Sequence, residues 1–306
     1  MFRHIVLRVA AAVPALFVII VLAFFLMRLA PGGPFDAERP VDAETLQNLR
    51  RIYRLDLPLH QQFGLYLWSL LNGDLGPSFH WRDFSVNDLF ARAFPVSFRL
   101  GCEALVLSLV LGMGFGLLAA TRRGAAAARL VGAFAFLAIA VPNFVVAPLL
   151  QLLFGLTFKL LPVGGFDATD WKTQVLPVTT LALPQIAAIA RLTDSALRDV
   201  LAAPHIRTLR AFGLPARTIH MHALRAAFLP VLSYLGPAAA NLLTGSVVVE
   251  TIFGIPGLGR YFVIGALGRD YPLVMGTVIV VAALVILFNL IVDLLYAFVD
   301  PRIAHE

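Results

Sequence analysis

The sequence has a single cysteine and only two lysines among its 306 residues. Cys102 alone excludes an intrachain disulfide and a cysteine metal cluster, and it reads as a small apolar side chain on a helix. Charged residues make up 14% of the chain, where a soluble globular domain carries roughly 25%. Because Lys159 and Lys172 are the only lysines, the formal net charge of +6 is an arginine charge. Neither lysine sits in a G-x-x-x-x-G-K-S/T loop, so there is no recognisable seat for the β- and γ-phosphates of ATP. H-E-x-x-H is absent too. His220 and His222 are two residues apart and face different sides of a helix; a solvated basic face accounts for them better than a metal site. No Ser/His/Asp arrangement can be argued from spacing. Strong internal repeats, low-complexity linkers and a second soluble domain are also missing, since the run Ala125–Ala128 is too short to count. These absences predict one domain over residues 1–306, with no catalytic residue, cofactor or metal.

What the chain has instead is apolar length. Hydrophobic residues make up 59% of it, and the mean hydropathy is +0.85. Six runs are long enough to cross about 30 Å of hydrocarbon at about 1.5 Å per residue. They lie near Val9–Leu29, Leu100–Ala120, Leu130–Leu153, Val175–Ala196, Val231–Val249 and Val274–Val299. The first follows Arg3 and Arg8 but is too long for a signal-peptide core and has no clean cleavage site after it, so it reads as an uncleaved anchor. Pro177, Pro184 and Gln185 interrupt the fourth run, and neighbouring helices can satisfy the carbonyls that proline frees. Arginines gather at the N-terminus, at Arg122, Arg123 and Arg129, at Arg198, Arg207, Arg210, Arg217 and Arg225, and at Arg302. Their placement in short connections is a topology signal rather than a nucleic-acid footprint. It predicts an all-α membrane protein in contact with lipid, with six transmembrane helices and both termini cytoplasmic. Ionisable residues inside the runs are few. Arg191 and Asp194 are three apart and able to face each other; Asp293 and Asn289 lie in the last run, and Glu103 and Glu250 near outer ends. No run carries a charged pair at mid-depth, which argues against a proton-driven carrier.

Two connections are more than linkers. In the long loop over residues 31–98, Val41–Tyr53 follows Asp42 as a short amphipathic helix with Leu46, Leu49, Ile52 and Tyr53 on one face. Pro58–Leu71 follows as another, with Phe63, Tyr66, Leu67 and Leu70, and with Trp68 suited to a membrane interface. Gly73-Asp-Leu-Gly-Pro77 then breaks the chain. Packing over the bundle and docking of a partner both fit this loop. The second connection, residues 198–229, is basic. Asp199–Phe212 can form a helix that stops at Gly213 in the left-handed conformation, and Pro215 suits the start of a second helix that ends at Leu229-Pro230. Ile206, Leu209 and Phe212 would stand exposed among the arginines. The segment can grip a soluble partner or rest on anionic lipid. Within the second run, Gly112 and Gly116 form a GxxxG that favours close helix packing.

Ile206-Arg-Thr-Leu-Arg-Ala-Phe-Gly213, followed by Leu229-Pro230, resembles the cytoplasmic coupling motif of the ATP-binding-cassette importer permeases, in their dipeptide/oligopeptide branch. The general motif opens Glu-Ala-Ala; here Arg207-Thr208-Leu209 stands in its place, and Phe212 stands where this branch often has lysine. Other stretches match the same branch in order: Gly73-Asp-Leu-Gly-Pro-Ser78, Ser85-Val-Asn-Asp-Leu89, Phe94-Pro-Val-Ser97, Pro142-Asn-Phe-Val-Val-Ala-Pro148, Thr244-Gly-Ser246, Glu250-Thr-Ile-Phe-Gly-Ile-Pro-Gly-Leu-Gly259 and Gly265-Ala-Leu-Gly-Arg-Asp-Tyr271. Together they resemble the first permease subunit of oligopeptide importers rather than its dipeptide or nickel relatives. The resemblance implies a type I importer architecture, a multi-pass place in the bacterial cytoplasmic membrane, and a non-enzymatic subunit forming half of a peptide pathway. The partners it implies are a second, homologous permease, two ATPase subunits, an extracytoplasmic peptide-binding protein and the peptide itself, with no nucleic acid. It implies ATPase coupling through His205, Ile206, Arg207, Thr208, Leu209, Arg210, Ala211, Phe212 and Gly213. It also implies a pore or gate near Asn241, Thr244, Ser246, Glu250, Phe253 and Gly257, although helix–helix hydrogen bonding explains Asn241, Thr244 and Ser246 equally well. The alternative from another class is an autonomous secondary carrier or channel for small solutes.

Overall fold

The structure, a computed structural model, describes residues 2–29, 43–81, 83–121 and 125–299. Asp42, Arg122, Arg123 and Arg302 lie outside the described residues, as do the side chains of Arg3, Arg8, Leu46, Leu49 and Asp293. Among the described residues the regular structure is helical, with one isolated antiparallel bridge between Pro77 and Ser85. In chain order the helices are α1 (Phe2–Leu29), α2 (Ala43–Ile52), α3 (Leu59–Leu71), α4 (Val86–Thr121), α5 (Ala125–Ala140), α6 (Asn143–Leu150), α7 (Lys172–Ala202), α8 (Pro204–Ala211), α9 (Ala216–Leu243), α10 (Val247–Phe253), α11 (Leu258–Leu267) and α12 (Tyr271–Val299). Among the described residues five helices are long and apolar enough to cross a membrane, namely α1, α4, α7, α9 and α12. Two bent pairs can raise the number of spans to seven: α5 with α6, bent by 104°, and α10 with α11, bent by 90°.

Several boundaries differ from the sequence reading, each for a local reason. The second run does not start at Leu100. Its helix begins fourteen residues earlier, at Val86, where Ser85 and Asp88 form a capping box: Asp88 N–H donates to Ser85 Oγ at 3.1 Å, and Ser85 N–H to Asp88 Oδ2 at 3.0 Å. The third run is not one straight helix. Pro142 has no N–H to offer α5 and takes an extended conformation (φ −64°, ψ 149°) before α6. α6 then continues as a π-helical stretch over Gln151–Thr157. The fourth run is, by contrast, continuous through Pro177 and Pro184, and Tyr234 of α9 donates its hydroxyl to Gln185 Oε1 at 2.5 Å. The fifth run does not reach Val249: α9 ends at Leu243, and Gly245 turns the chain with φ +87°. Leu229-Pro230 does not end a helix, since α9 passes through Pro230 unbroken.

The bundle is organised around α4, α7 and α9. Leu100, Ala104, Leu176, Leu181, Ala182, Ile186 and Leu242 share one buried cluster. Close approach depends on missing side chains. A Cβ at Gly112 would lie 2.7 Å from Ile189 Cβ, and one at Gly116 would lie 2.5 Å from Thr193 Cβ, both on α7. One at Gly101 would overlap the Leu242 carbonyl of α9. The expected packing role of the Gly112/Gly116 pair is therefore present. Asp194 faces Arg198 (2.7 Å), one turn on, rather than Arg191. Arg198 also donates to the Ala119 carbonyl of α4 at 2.9 Å, pinning the two helices together at one end.

The described part of the long loop, from residue 43 onward, packs against the helices on either side of it. α3 lays Phe63 and Tyr66 against Phe24 of α1, with ring centroids 5.1 and 5.9 Å away, and leaves Trp68 outside, 68% exposed. Ile52, on the apolar face of α2, is exposed. Asn87 clasps the Gly73–Gly76 turn, accepting from Leu75 N–H at 2.8 Å and donating to the Gly73 carbonyl at 2.7 Å. The buried Asp270 caps α12 through Leu273 N–H (3.2 Å). Its other oxygen accepts from Ser78 Oγ (2.5 Å), Phe79 N–H (2.9 Å) and His80 N–H (3.0 Å).

The α4–α7 contact yields a paired test. Gly116→Val should lower the melting temperature of the purified chain by an amount equivalent to about 1–3 kcal/mol, the usual cost of overpacking. Gly114→Ala, where nothing lies within 4 Å of an added Cβ, should be neutral or slightly stabilising. Equal melting of the two variants would remove the close-approach argument.

Candidate functional site

The basic connection folds into a short helix braced against the bundle. α7 stops because Pro204 drives Ala203 out of the helical region (φ −65°, ψ 150°), and the same proline starts α8 at a position that needs no N–H. The helix closes in a Schellman turn. Gly213, at φ +74°, donates to the Arg210 carbonyl (3.0 Å), and Leu214 N–H reaches back to the Leu209 carbonyl (3.3 Å). Only one side chain of α8 is fully inside. Ile206 is 0% exposed and sits in a cluster with Leu197 of α7 and with Ile219, Ala223 and Ala227 of α9. Leu117 and Ala120 of α4, together with Leu209 and Leu214, close that cluster from the side. The expectation that Ile206, Leu209 and Phe212 all stand exposed is therefore corrected: apolar burial fixes Ile206, Leu209 is half-buried, and only Phe212 points out, at 78% exposure. His205, Arg207, Thr208, Arg210 and Ala211 are exposed with it. Arg217 and Arg225 on α9 add to the same basic end of the molecule.

The second group of expected residues forms an elbow. Thr244 bonds its own helix, donating to the Ala240 carbonyl at 2.8 Å, and Ser246 caps α10 by accepting from Val249 N–H at 3.3 Å. Asn241 is exposed on the last turn of α9. Phe253 is buried, and its carbonyl accepts from Gly165 N–H at 2.7 Å. Glu250, only 2% exposed, is the centre of the elbow. Its Oε2 accepts from Gly259 N–H (2.8 Å) and Arg260 N–H (3.2 Å), and its Oε1 from Ser97 Oγ (2.7 Å). Ser97 in turn accepts from Leu258 N–H at 2.9 Å. Gly257 N–H goes to the Ile255 carbonyl at 2.9 Å. The four free N–H groups that open any helix are thus all matched at α11, with a carboxylate where the helix dipole favours negative charge. The glycines leave room for it. A Cβ at Gly245 or Gly257 would overlap the Glu250 carboxylate, and one at Gly259 would lie 2.6 Å from the Val247 backbone. Gly257 is therefore a cradle for the carboxylate. Sequence reasoning missed Ser97, because nothing in Phe94-Pro-Val-Ser97 signals a partner 153 positions away. It likewise gave no role to Ser78 and Asp270.

Removing the Glu250 carboxylate leaves buried donors unpaired, at roughly 1–3 kcal/mol each. Glu250→Ala should therefore lower the melting temperature of the purified protein more than Ser97→Ala. Glu250→Gln should fall between wild type and Glu250→Ala, because its amide NH2 faces donors. Thermal unfolding in detergent checks the order; a Glu250→Ala protein that melts with the wild type would contradict the clamp.

Comparison with known proteins adds an independent line. The profile of the family described as binding-protein-dependent transport system inner membrane component matches residues 112–305. The oligopeptide transport system permease protein OppB of Salmonella typhimurium is 47% identical over 100% of both chains, and that of Haemophilus influenzae is 46% identical over the same span. The dipeptide transport system permease protein DppB of Bacillus subtilis is 42% identical over 99% of this chain and 98% of its own. The chain belongs to the family of binding-protein-dependent transport system inner membrane components.

Proposed function

We propose that the chain is half of the translocation pathway of an ATP-driven importer of oligopeptides or dipeptides. It is a multi-pass protein of the bacterial inner membrane. Its spans are α1, α4, the α5–α6 pair, α7, α9 and α12, with both termini in the cytoplasm. The α10–α11 pair is left out on length. Seven and ten residues reach about 10 and 15 Å at about 1.5 Å per residue, too little to cross about 30 Å around a right-angle bend. Six spans return the chain to its starting side, which puts residues 198–229 with the termini on the arginine-rich face.

The observation that carries the reading is the geometry of α8: one apolar side chain rooted in the bundle, and the basic face with Phe212 turned outward. In this reading α8 is the coupling helix, seated in a groove of one of two ATPase subunits, while a second, homologous permease completes the pathway and an extracytoplasmic binding protein delivers the peptide. Ile206 passes displacement of α8 to α7, α9 and the end of α4. At the far end of α4, Ser97 holds the Glu250 elbow, so the Asn241–Gly257 region would act as the outer gate. The substrate class rests on relatives named as permeases of oligopeptide and dipeptide transport systems.

Two changes test the coupling. Arg207→Glu combined with Arg210→Glu inverts the charge of the exposed face. Gly213→Pro replaces a residue at φ +74° with one locked near −65°. Both should leave assembly with the second permease intact and bring ATP-driven peptide uptake close to background, with ATP hydrolysis no longer stimulated by the binding protein. Unchanged uptake by a normally assembled complex would reject the assignment; uptake by this chain alone, driven by an ion gradient, would favour a secondary carrier.

A further inference from the structure

A cavity of about 370 Å³ opens between the last turn of α1, the turn after α2, α3, the Asp74–Phe79 stretch and the start of α12. Its unusual member is Arg28. Nε donates to Gln62 Oε1 at 2.9 Å, and the guanidinium lies 4.6 Å over the Phe24 ring and 5.3 Å from the Tyr271 ring. Gln62 is itself locked by bonds from its amide to the Leu55 and Leu57 carbonyls, at 3.2 and 2.8 Å. Every one of these groups is neutral, so among the described residues the cation is held in place without an opposite charge bonded to it. Its Nη1 atom and the Tyr66 hydroxyl are both buried and have no hydrogen-bond partner among the described residues. Burial pushes the Tyr66 phenol above its ordinary pKa, against the pull of the nearby Arg28 charge, so the hydroxyl stays a proton donor. Among the described residues the one acid on the cavity wall is Asp74, which is exposed and accepts from Gly76 N–H at 2.9 Å. Arg54 adds a second cation to the wall. The end of α1 offers Arg28 only about half a negative charge, spread over its last carbonyls.

Two preset donors, one of them a cation with neutral partners, beside a cavity walled by Tyr53, Leu65 and Phe79, define a ligand type. We propose that this cavity is a subsite for a carboxylate carried on a short apolar body, with Arg28 and Tyr66 as its donors. A charged acceptor strengthens both hydrogen bonds and supplies the missing opposite charge. On the topology proposed above, the cavity lies on the outer face, and the inference rests on that reading for its side of the membrane alone. There the carboxylate can come from the C-terminus of a peptide or from an acidic side chain of the binding protein.

The test uses the assembled transporter in lipid nanodiscs, as wild type, Arg28→Gln and Tyr66→Phe. In one arm, trialanine and trialanine amide are titrated calorimetrically without the binding protein; in the other, the affinity of the binding protein for the complex is measured. If the peptide is the source, wild type should prefer the free acid by about tenfold, the scale of one charge-assisted hydrogen bond, and both variants should lose that preference. If the binding protein is the source, its affinity should fall by about tenfold in Arg28→Gln, and by less in Tyr66→Phe, with no preference between the tripeptides. Tyr66→Phe keeps the ring against Phe24, so it carries the test if Arg28→Gln fails to assemble. Variants that match wild type in both arms overturn the proposal. The first arm reads binding rather than transport, so its failure is separable from failure of the coupling assignment.

Discussion

The close contact of α4 with α7 and α9 is the constraint on which the rest of the structure hangs. Three glycines, at 101, 112 and 116, let the helices approach to backbone distance. In lipid no hydrophobic force drives one apolar helix against another, so such contacts rely on van der Waals packing and close fit. The same helix serves both ends of the molecule. Ser97 holds the elbow on one side, and Leu117 and Ala120 wall the Ile206 cluster on the other. A stiff helix bonded at both ends links two distant sites as a mechanical member, whatever chemistry is attached to each.

The elbow shows how a membrane protein opens a helix inside its own interior. α11 begins away from water, where unmatched N–H groups are costly. Its own N-cap is Gly257, which has no side chain to offer. The acceptors come from elsewhere: a carboxylate from the preceding short helix and a hydroxyl from α4. This arrangement explains the glycine-rich run after Glu250. Gly254 turns α10 back at φ +66°, and Gly257 and Gly259 clear space for an acid that a Cβ would displace.

Much of this was legible in the sequence where one helix face or one turn decides the outcome. The GxxxG contact, the αL stop at Gly213, the α3 face with Phe63 and Tyr66, and the existence, though not the ends, of the five long apolar helices follow from spacing and from local chemistry. What was not legible depends on partners far apart in the chain. Whether Pro142 bends a span or is absorbed, as Pro177, Pro184 and Pro230 are, turns on which neighbours fill the gap. Asp194 with Arg191 and Asp194 with Arg198 are equally allowed on a helix, and the Ala119 carbonyl of α4 favours the second by holding Arg198. The inward turn of Ile206 needs three other helices in place, and the tie between Asp270 and Ser78 spans 192 positions.

The turn at Gly213 has one more consequence. Because its bonds lie within the segment and Ile206 is already buried, α8 keeps its shape without any partner. A helix of eight residues would not persist alone in water; here the bundle has met the ordering cost at folding. A protein docking on this face would meet a helix already formed, so little conformational entropy would be lost on this side of the contact.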